Sequence, residues 1–164
     1  MPITGGAAAG GAGLYDAYVN VRDKKTSGTA GGTFTSGAWY TRAINEELAD
    51  TANICSIASD QITLAAGTYR CLISAPAMQV NRHQARLYNV TDDTVLILGS
   101  NAYTTQASSA AQTHAFVAGR FTLSAQKTLE IQHRCYATES TDGMGLPASW
   151  GDEIYTVAEF WREA

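Results

Sequence analysis

Charge is scarce in this chain. Only 16% of its 164 residues are Asp, Glu, Lys or Arg, and acids outnumber bases 15 to 11, for a formal net charge of -4. Nucleic acids and anionic lipid surfaces are gathered by a basic field, which this composition does not supply. Nucleic-acid binding is therefore not expected. Cysteine is equally sparse: Cys55, Cys71 and Cys135 cannot all pair internally, and their spacing matches no Cys-x-x-Cys metal or redox motif. Buried thiols in a reducing compartment are the expectation, with one internal pair left open. No basic segment leads into a long apolar run near the N-terminus, so neither a signal peptide nor membrane insertion is expected. The length suits one soluble domain, made in the cytoplasm.

Catalytic signatures are missing too. There is no Gly-x-Ser-x-Gly turn to expose a nucleophile. His83, His114 and His133 share no metal-ligand spacing, so no metal is assigned. Neighbouring acids such as Asp92 with Asp93, or Glu46 with Glu47, would point to opposite faces of a strand, whereas sugar-cleaving carboxylates face each other across the substrate. Asp92 and Asp93 read as turn formers. No catalytic residue and no cofactor are expected, and the chain is not read as an enzyme.

What the chain has is alternation. Residues 1–13 are a Gly/Ala-rich stretch whose glycines carry high backbone entropy and whose side chains offer little to bury, so it reads as an extended N-terminal arm. From Leu14 the period is two: Tyr15, Ala17, Val19 and Val21 share one face, with Asp16, Tyr18, Asn20 and Arg22 on the other. Residues 33–42, rich in β-branched and aromatic types, predict a second strand, and 43–50 could make a helical turn. Gln61–Leu64 and Thr68–Ala75 predict strands around the Ala66-Gly67 turn, with Pro76 ending the pairing or marking an edge. Gln84–Val90 and Thr94–Gly99 form a hairpin about Thr91-Asp92-Asp93; its second arm, apolar on both faces, is expected to lie centrally. Residues 113–123, 129–138 and 151–164 complete roughly eight to ten short antiparallel strands. The expected fold is an all-β sandwich over residues 14–164.

Two surfaces suggest chemistry. Arg82, His83 and Arg86 cluster at the entry to the hairpin strand and could grip a carboxylate, sulfate or acidic sugar through charge-assisted hydrogen bonds. The plainer alternative is that they pair with the chain's excess acids. In the final strand, Tyr155, Val157, Glu159 and Trp161 alternate with Ile154, Thr156, Ala158 and Phe160, so both faces are mainly apolar. One sandwich interior covers one of them. The other needs a neighbour, which makes Tyr155, Val157 and Trp161 candidates for the interface of a homo-oligomer.

The ordered segments Tyr18-Val-Asn-Val-Arg-Asp, Ser27-Gly-Thr-Ala-Gly-Gly-Thr-Phe-Thr-Ser-Gly-Ala-Trp, Ile62-Thr-Leu-Ala-Ala-Gly-Thr-Tyr, Asn81-Arg-His-Gln-Ala-Arg-Leu-Tyr-Asn-Val-Thr and Leu129-Glu-Ile-Gln-His-Arg-Cys carry a family resemblance. Together they resemble small bacteriophage virion proteins of the tail-fibre, head-fibre or decoration type, whose jelly roll is similar to complement globular heads and tumour necrosis factor. The resemblance spans residues 14–163 and implies a ten-stranded jelly-roll protomer, a compact trimer with aromatic-rich contacts, and no catalytic residues. A fibre tip would follow a long shaft, whereas here only the Gly/Ala arm precedes the first strand. The expectation is a trimeric capsid cement or decoration protein on the virion surface. Its arm residues Met1, Pro2, Ile3 and Thr4 would contact the major capsid protein or another virion protein. The alternative is a fibre tip that recognises a host surface glycan.

Overall fold

The computed structural model describes residues 13–164. The arm residues Met1, Pro2, Ile3 and Thr4 lie outside the described residues. The strands are β1 (Tyr15–Lys25), β2 (Tyr40–Thr41), β3 (Glu46–Asp50), β4 (Cys55–Ala58), β5 (Gln61–Leu64) and β6 (Gly67–Ala77). They continue with β7 (Asn81–Asn89), β8 (Thr94–Thr104), β9 (Thr113–Leu123), β10 (Lys127–Cys135) and β11 (Glu153–Glu163). All pairings are antiparallel. One sheet runs β3-β1-β11-β6-β9 and the other β4-β5-β10-β7-β8, with β2 added beside β10. The all-β sandwich expected from alternation is the fold found, a two-sheet jelly roll.

The inner faces supply one core. Val19 and Val21 of β1, Ala158 and Phe160 of β11, Tyr69 and Ile73 of β6, and Val117 and Phe121 of β9 meet Ile62, Leu64, Leu87, Leu129 and Ile131 of the opposite sheet. Burying each large side chain stabilises the fold by about 1.5–3 kcal/mol. A smaller cluster of Phe34, Ala77, Val80 and Cys135 closes one end. Its polar neighbour is Arg42, which is fully buried: Nε donates to Thr156 Oγ1 at 2.8 Å, Nη1 to the Pro76 carbonyl at 3.2 Å, and Nη2 to the Met144 carbonyl at 2.8 Å. Three separate segments are thereby tied to one guanidinium. Burial lowers its pKa to about 10, while the charge of Asp23 acts in the opposite sense. Arg42 therefore stays charged at neutral pH.

Several local expectations change. Residues 46–50 are strand β3 and not a helical turn, because Arg22 and Lys24 of β1 pair with Glu46 and the backbone of β1 pairs with the segment across one irregularity at Asn20 and Val21. Of residues 33–42 only Tyr40 and Thr41 form a strand, with Phe34 bridging Glu139; the loop is shaped by end-cluster packing more than by β propensity. Pro76 does not end β6: pairing to β9 continues through Ala77, while pairing to β11 reaches only Ser74. The proline therefore sits where a missing N–H costs least. β8 is the edge of its sheet and not its centre, so its second apolar row, including Val95 and Leu98, faces solvent.

In β11 the alternation breaks. Arg22 pairs with Val157 but Lys24 with Ile154, so β11 carries an extra residue and both Tyr155 and Thr156 turn inward. Tyr155 is 4% exposed and its hydroxyl donates to the Thr29 carbonyl at 2.7 Å. It therefore does not share the outer face of Val157 and Trp161. Cys55, Cys71 and Cys135 are all free; burial raises their pKa values to about 12, 11 and 11, keeping them as thiols.

Candidate functional site

The register of three strands assembles one polar surface. Across β10, β7 and β8, Arg134 pairs with Gln84 and Gln84 with Asn101; the next rows are Arg82 with Tyr103, and Gln132 with Arg86 and Leu98. Period-two geometry sends these side chains to the outer face, since Ala85, Leu87, Ile131 and His133 between them are buried. The loop at residues 36–39 rises beside them. The result is a cleft of about 540 Å³ walled by Ser36, Trp39, Arg82, Gln84, Asn101, Arg134 and Tyr136, with no carboxylate in its lining.

Its arginines differ from those elsewhere. Arg22, Lys24, Lys25, Arg70, Arg120, Lys127 and Arg162 each reach an Asp or Glu. Among the described residues, Arg42, Arg82, Arg86 and Arg134 are the cationic side chains without an ion pair, and the last three share this face. The Arg82 guanidinium stacks 4.2 Å from the Tyr136 ring centroid. Arg86 stacks at 4.2 Å over Trp39 and at 4.8 Å over Tyr88, and its Nε and Nη2 both donate to Gln132 Oε1. Gln132 in turn donates to Glu130, which also receives Gln61 and Thr41. Arg86 is thus fixed beside the cleft, whereas among the described residues the guanidiniums of Arg82 and Arg134 have no side-chain hydrogen-bond partner.

His83 does not belong with the arginines. It borders the cleft but is only 3% exposed, and its ring points inward, with Nδ1 3.0 Å from His133 Nε2 and Nε2 2.9 Å from Thr113 Oγ1. Its place on the inner face of β7 follows from lying one residue from Arg82. Burial, reinforced by the charge of Arg42, lowers its pKa to about 4 and pushes that of His133 well below the ordinary imidazole value. Both rings are therefore neutral at physiological pH. The Nδ1 of His133 lacks a partner. Placing the proton on Nε2 leaves a lone pair there, less costly than an orphaned N–H.

The opposite sheet presents a different outer face. Trp161 pairs with Tyr18 and Arg70, Glu159 with Leu72, Val157 with Ser74, and Ser74 with Phe116. Leu72 and Phe116 are 43% and 46% exposed, and the Tyr18 and Trp161 rings lie 5.5 Å apart. Tyr18 donates to Glu159 at 2.6 Å and receives Asn20. Asp92 and Asp93 occupy the β7–β8 turn, where Asp92 pairs with Lys127 at 2.7 Å, Asp93 receives Tyr88, and Asp93 adopts a positive φ. Both behave as turn formers.

The sequence indicated Arg82 and Arg86 but missed Arg134, Gln84 and Asn101. Arg134 carried a signal: it stands on the outward parity of its strand, as Arg82 does. Only the register places the two on neighbouring strands.

The two-sheet architecture is similar to the jelly rolls of complement heads and tumour necrosis factor-like proteins. Among solved structures, the globular domain of the zebrafish complement 1qA protein is 15% identical with a TM-score of 0.54, covering 90% of this chain and 96% of that one. Murine APRIL is 9% identical with a TM-score of 0.56, covering 89% and 98%. At such identities the likeness is one of fold. No protein-family model matches the chain, and no curated protein matches it significantly.

Proposed function

We propose that this chain is the protomer of a non-enzymatic homotrimer serving as a structural protein at the surface of a bacteriophage virion, a cement or decoration protein on the coat lattice. The observation that carries the self-association is a set of apolar side chains on the outer face of the β3-β1-β11-β6-β9 sheet, Trp161, Val157, Leu72 and Phe116 on three neighbouring strands, interspersed with Arg70, Glu159 and Arg120. A soluble protein that leaves such a patch uncovered invites association. The family resemblance of the sequence supports the trimer and the virion. The arm, with Met1, Pro2, Ile3 and Thr4, is the segment proposed to contact coat protein.

Trp161→Arg places a charge in the middle of the proposed contact. Sedimentation analysis should return a folded protomer or insoluble protein, and a stable native trimer would remove this face from the interface. Deleting residues 1–13 should leave the trimer intact but abolish binding to coat particles. Full occupancy by the truncated protein would exclude the cement role.

The cleft beside Arg82 favours a second reading, a fibre tip that recognises a host surface glycan. Adsorption to host cells that falls on substitution of cleft residues would support it. No binding to any host surface fraction would count against it.

A further inference from the structure

We propose that the cleft between Arg82 and Arg134 binds an anionic saccharide, with the two guanidiniums holding an acidic substituent and the surrounding amides and aromatics holding the sugar. This deepens the host-recognition reading and rests on it for its biological role, though not for its chemistry. The first observation is electrostatic. In a chain of net charge -4, Arg82 and Arg134 keep no carboxylate partner among the described residues although both stand on paired strands, and no acid lines the cleft. Each guanidinium offers a planar fork of donors matched to a carboxylate or sulfate. Arg82 already lies over the Tyr136 ring, so less rotamer freedom is lost when it meets a ligand.

The second observation concerns what surrounds the charge. Gln84 donates to the Gly99 carbonyl at 2.9 Å, and among the described residues its Oε1 and the Asn101 side chain have no hydrogen-bond partner. An amide presents donors and an acceptor together, as hydroxyl recognition requires. Trp39 and Tyr136 flank these groups in the same lining. Aromatic surfaces of this kind suit the C–H face of a pyranose. The volume lies within the range of small-ligand clefts and accommodates a short oligosaccharide. A simple anion would use the arginines alone, and a neutral sugar would leave both guanidiniums without a counter-charge. An acidic sugar uses the whole lining.

Calorimetric titration of the full-length protein with tetragalacturonate, a sulfated carrageenan tetrasaccharide, neutral maltotetraose and inorganic sulfate tests this. One or both acidic oligosaccharides should bind, and which of them does identifies the acidic group. Maltotetraose and sulfate should bind at least about tenfold more weakly than the preferred acidic oligosaccharide. Arg82→Gln and Arg134→Gln should each weaken binding of the preferred ligand by about tenfold or more, as expected for loss of charge-assisted hydrogen bonds. Arg120→Gln, on the other sheet, should not. Both cleft arginines are exposed, so the variants should melt like the parent. Silence toward both acidic oligosaccharides, equal affinity for maltotetraose or sulfate, or indifference to both cleft substitutions overturns the proposal. Dissociation of the oligomer by Arg82→Gln or Arg134→Gln also overturns it, by assigning the cleft to a neighbouring subunit. Binding of the preferred acidic oligosaccharide without host-cell adsorption would refute the recognition role alone. Adsorption indifferent to both substitutions would refute the cleft alone.

Discussion

Arg42 reaches Thr156, Pro76 and Met144 at once, and nothing in its sequence neighbourhood marks it as different from the surface arginines. Removing its charge would leave three acceptors unpaired and take from Asp23 one of its two nearby cations, Lys25 being the other. Arg42→Met should therefore destabilise the protomer by about 3–5 kcal/mol, read as a lower urea midpoint at unchanged slope. His83 and His133 make the companion prediction. Their folded pKa values lie below the ordinary value of 6.5, so in the window from about pH 6.5 to 4 the unfolded chain binds more protons than the fold. Stability is complete above that window and falls on acidification through it. The melting temperature should drop by about 4 °C or more between pH 7 and 5, and replacing both histidines with Gln should flatten that slope. Among single residues, the turn role of Asp92 and Asp93 was legible because it depends on local chemistry. The inward turn of His83 contradicts its grouping with Arg82 because adjacent strand residues point apart. The alternation rule already applied to the paired acids could have separated them.

At the level of elements, period two located most of the strands, because each buries one face against the same core. β3 and β2 were misread for the opposite reason: β3 buries little and is held by ion pairs to β1, and β2 is held by β10. β8 was misplaced because an apolar run on both faces signals a central strand only if something covers both faces. Its contact with β9 is set at Gly99, where a Cβ would stand 2.8 Å from the Ala85 carbonyl and closer still to that of Phe116. Gly99→Val should push β8 off β9 and cost about 1–3 kcal/mol, measurable by chemical denaturation. The β11 bulge was illegible, because an extra residue in a strand leaves no mark in its own alternation. It turns Tyr155 onto Gly145, whose φ of +144 and contact with the tyrosine ring leave no room for a side chain.

The two sheets present outer faces of different chemistry, one mixing apolar side chains with paired charges around Trp161 and one carrying the unpaired cations Arg82 and Arg134. They lie on opposite sheets, so assembly through the first leaves the second open. Trp161→Arg should therefore abolish the trimer yet leave affinity for tetragalacturonate within about twofold of the parent, since sites on separate sheets with no shared partners act additively. Titrating the dissociated variant checks it. A loss of affinity along with the trimer would mean that a neighbouring subunit completes the cleft.

The sheet order also constrains how the chain reaches this state. β11 lies between β1 and β6, two strands completed well before it is synthesised. Until it arrives, both hold open a slot one strand wide, lined with unpaired backbone groups. The slot does not distinguish the chain's own β11 from that of another copy. Strand exchange is consequently the natural folding error: crowded refolding should trap entangled oligomers, whereas dilute refolding should return protomers that assemble through their outer faces.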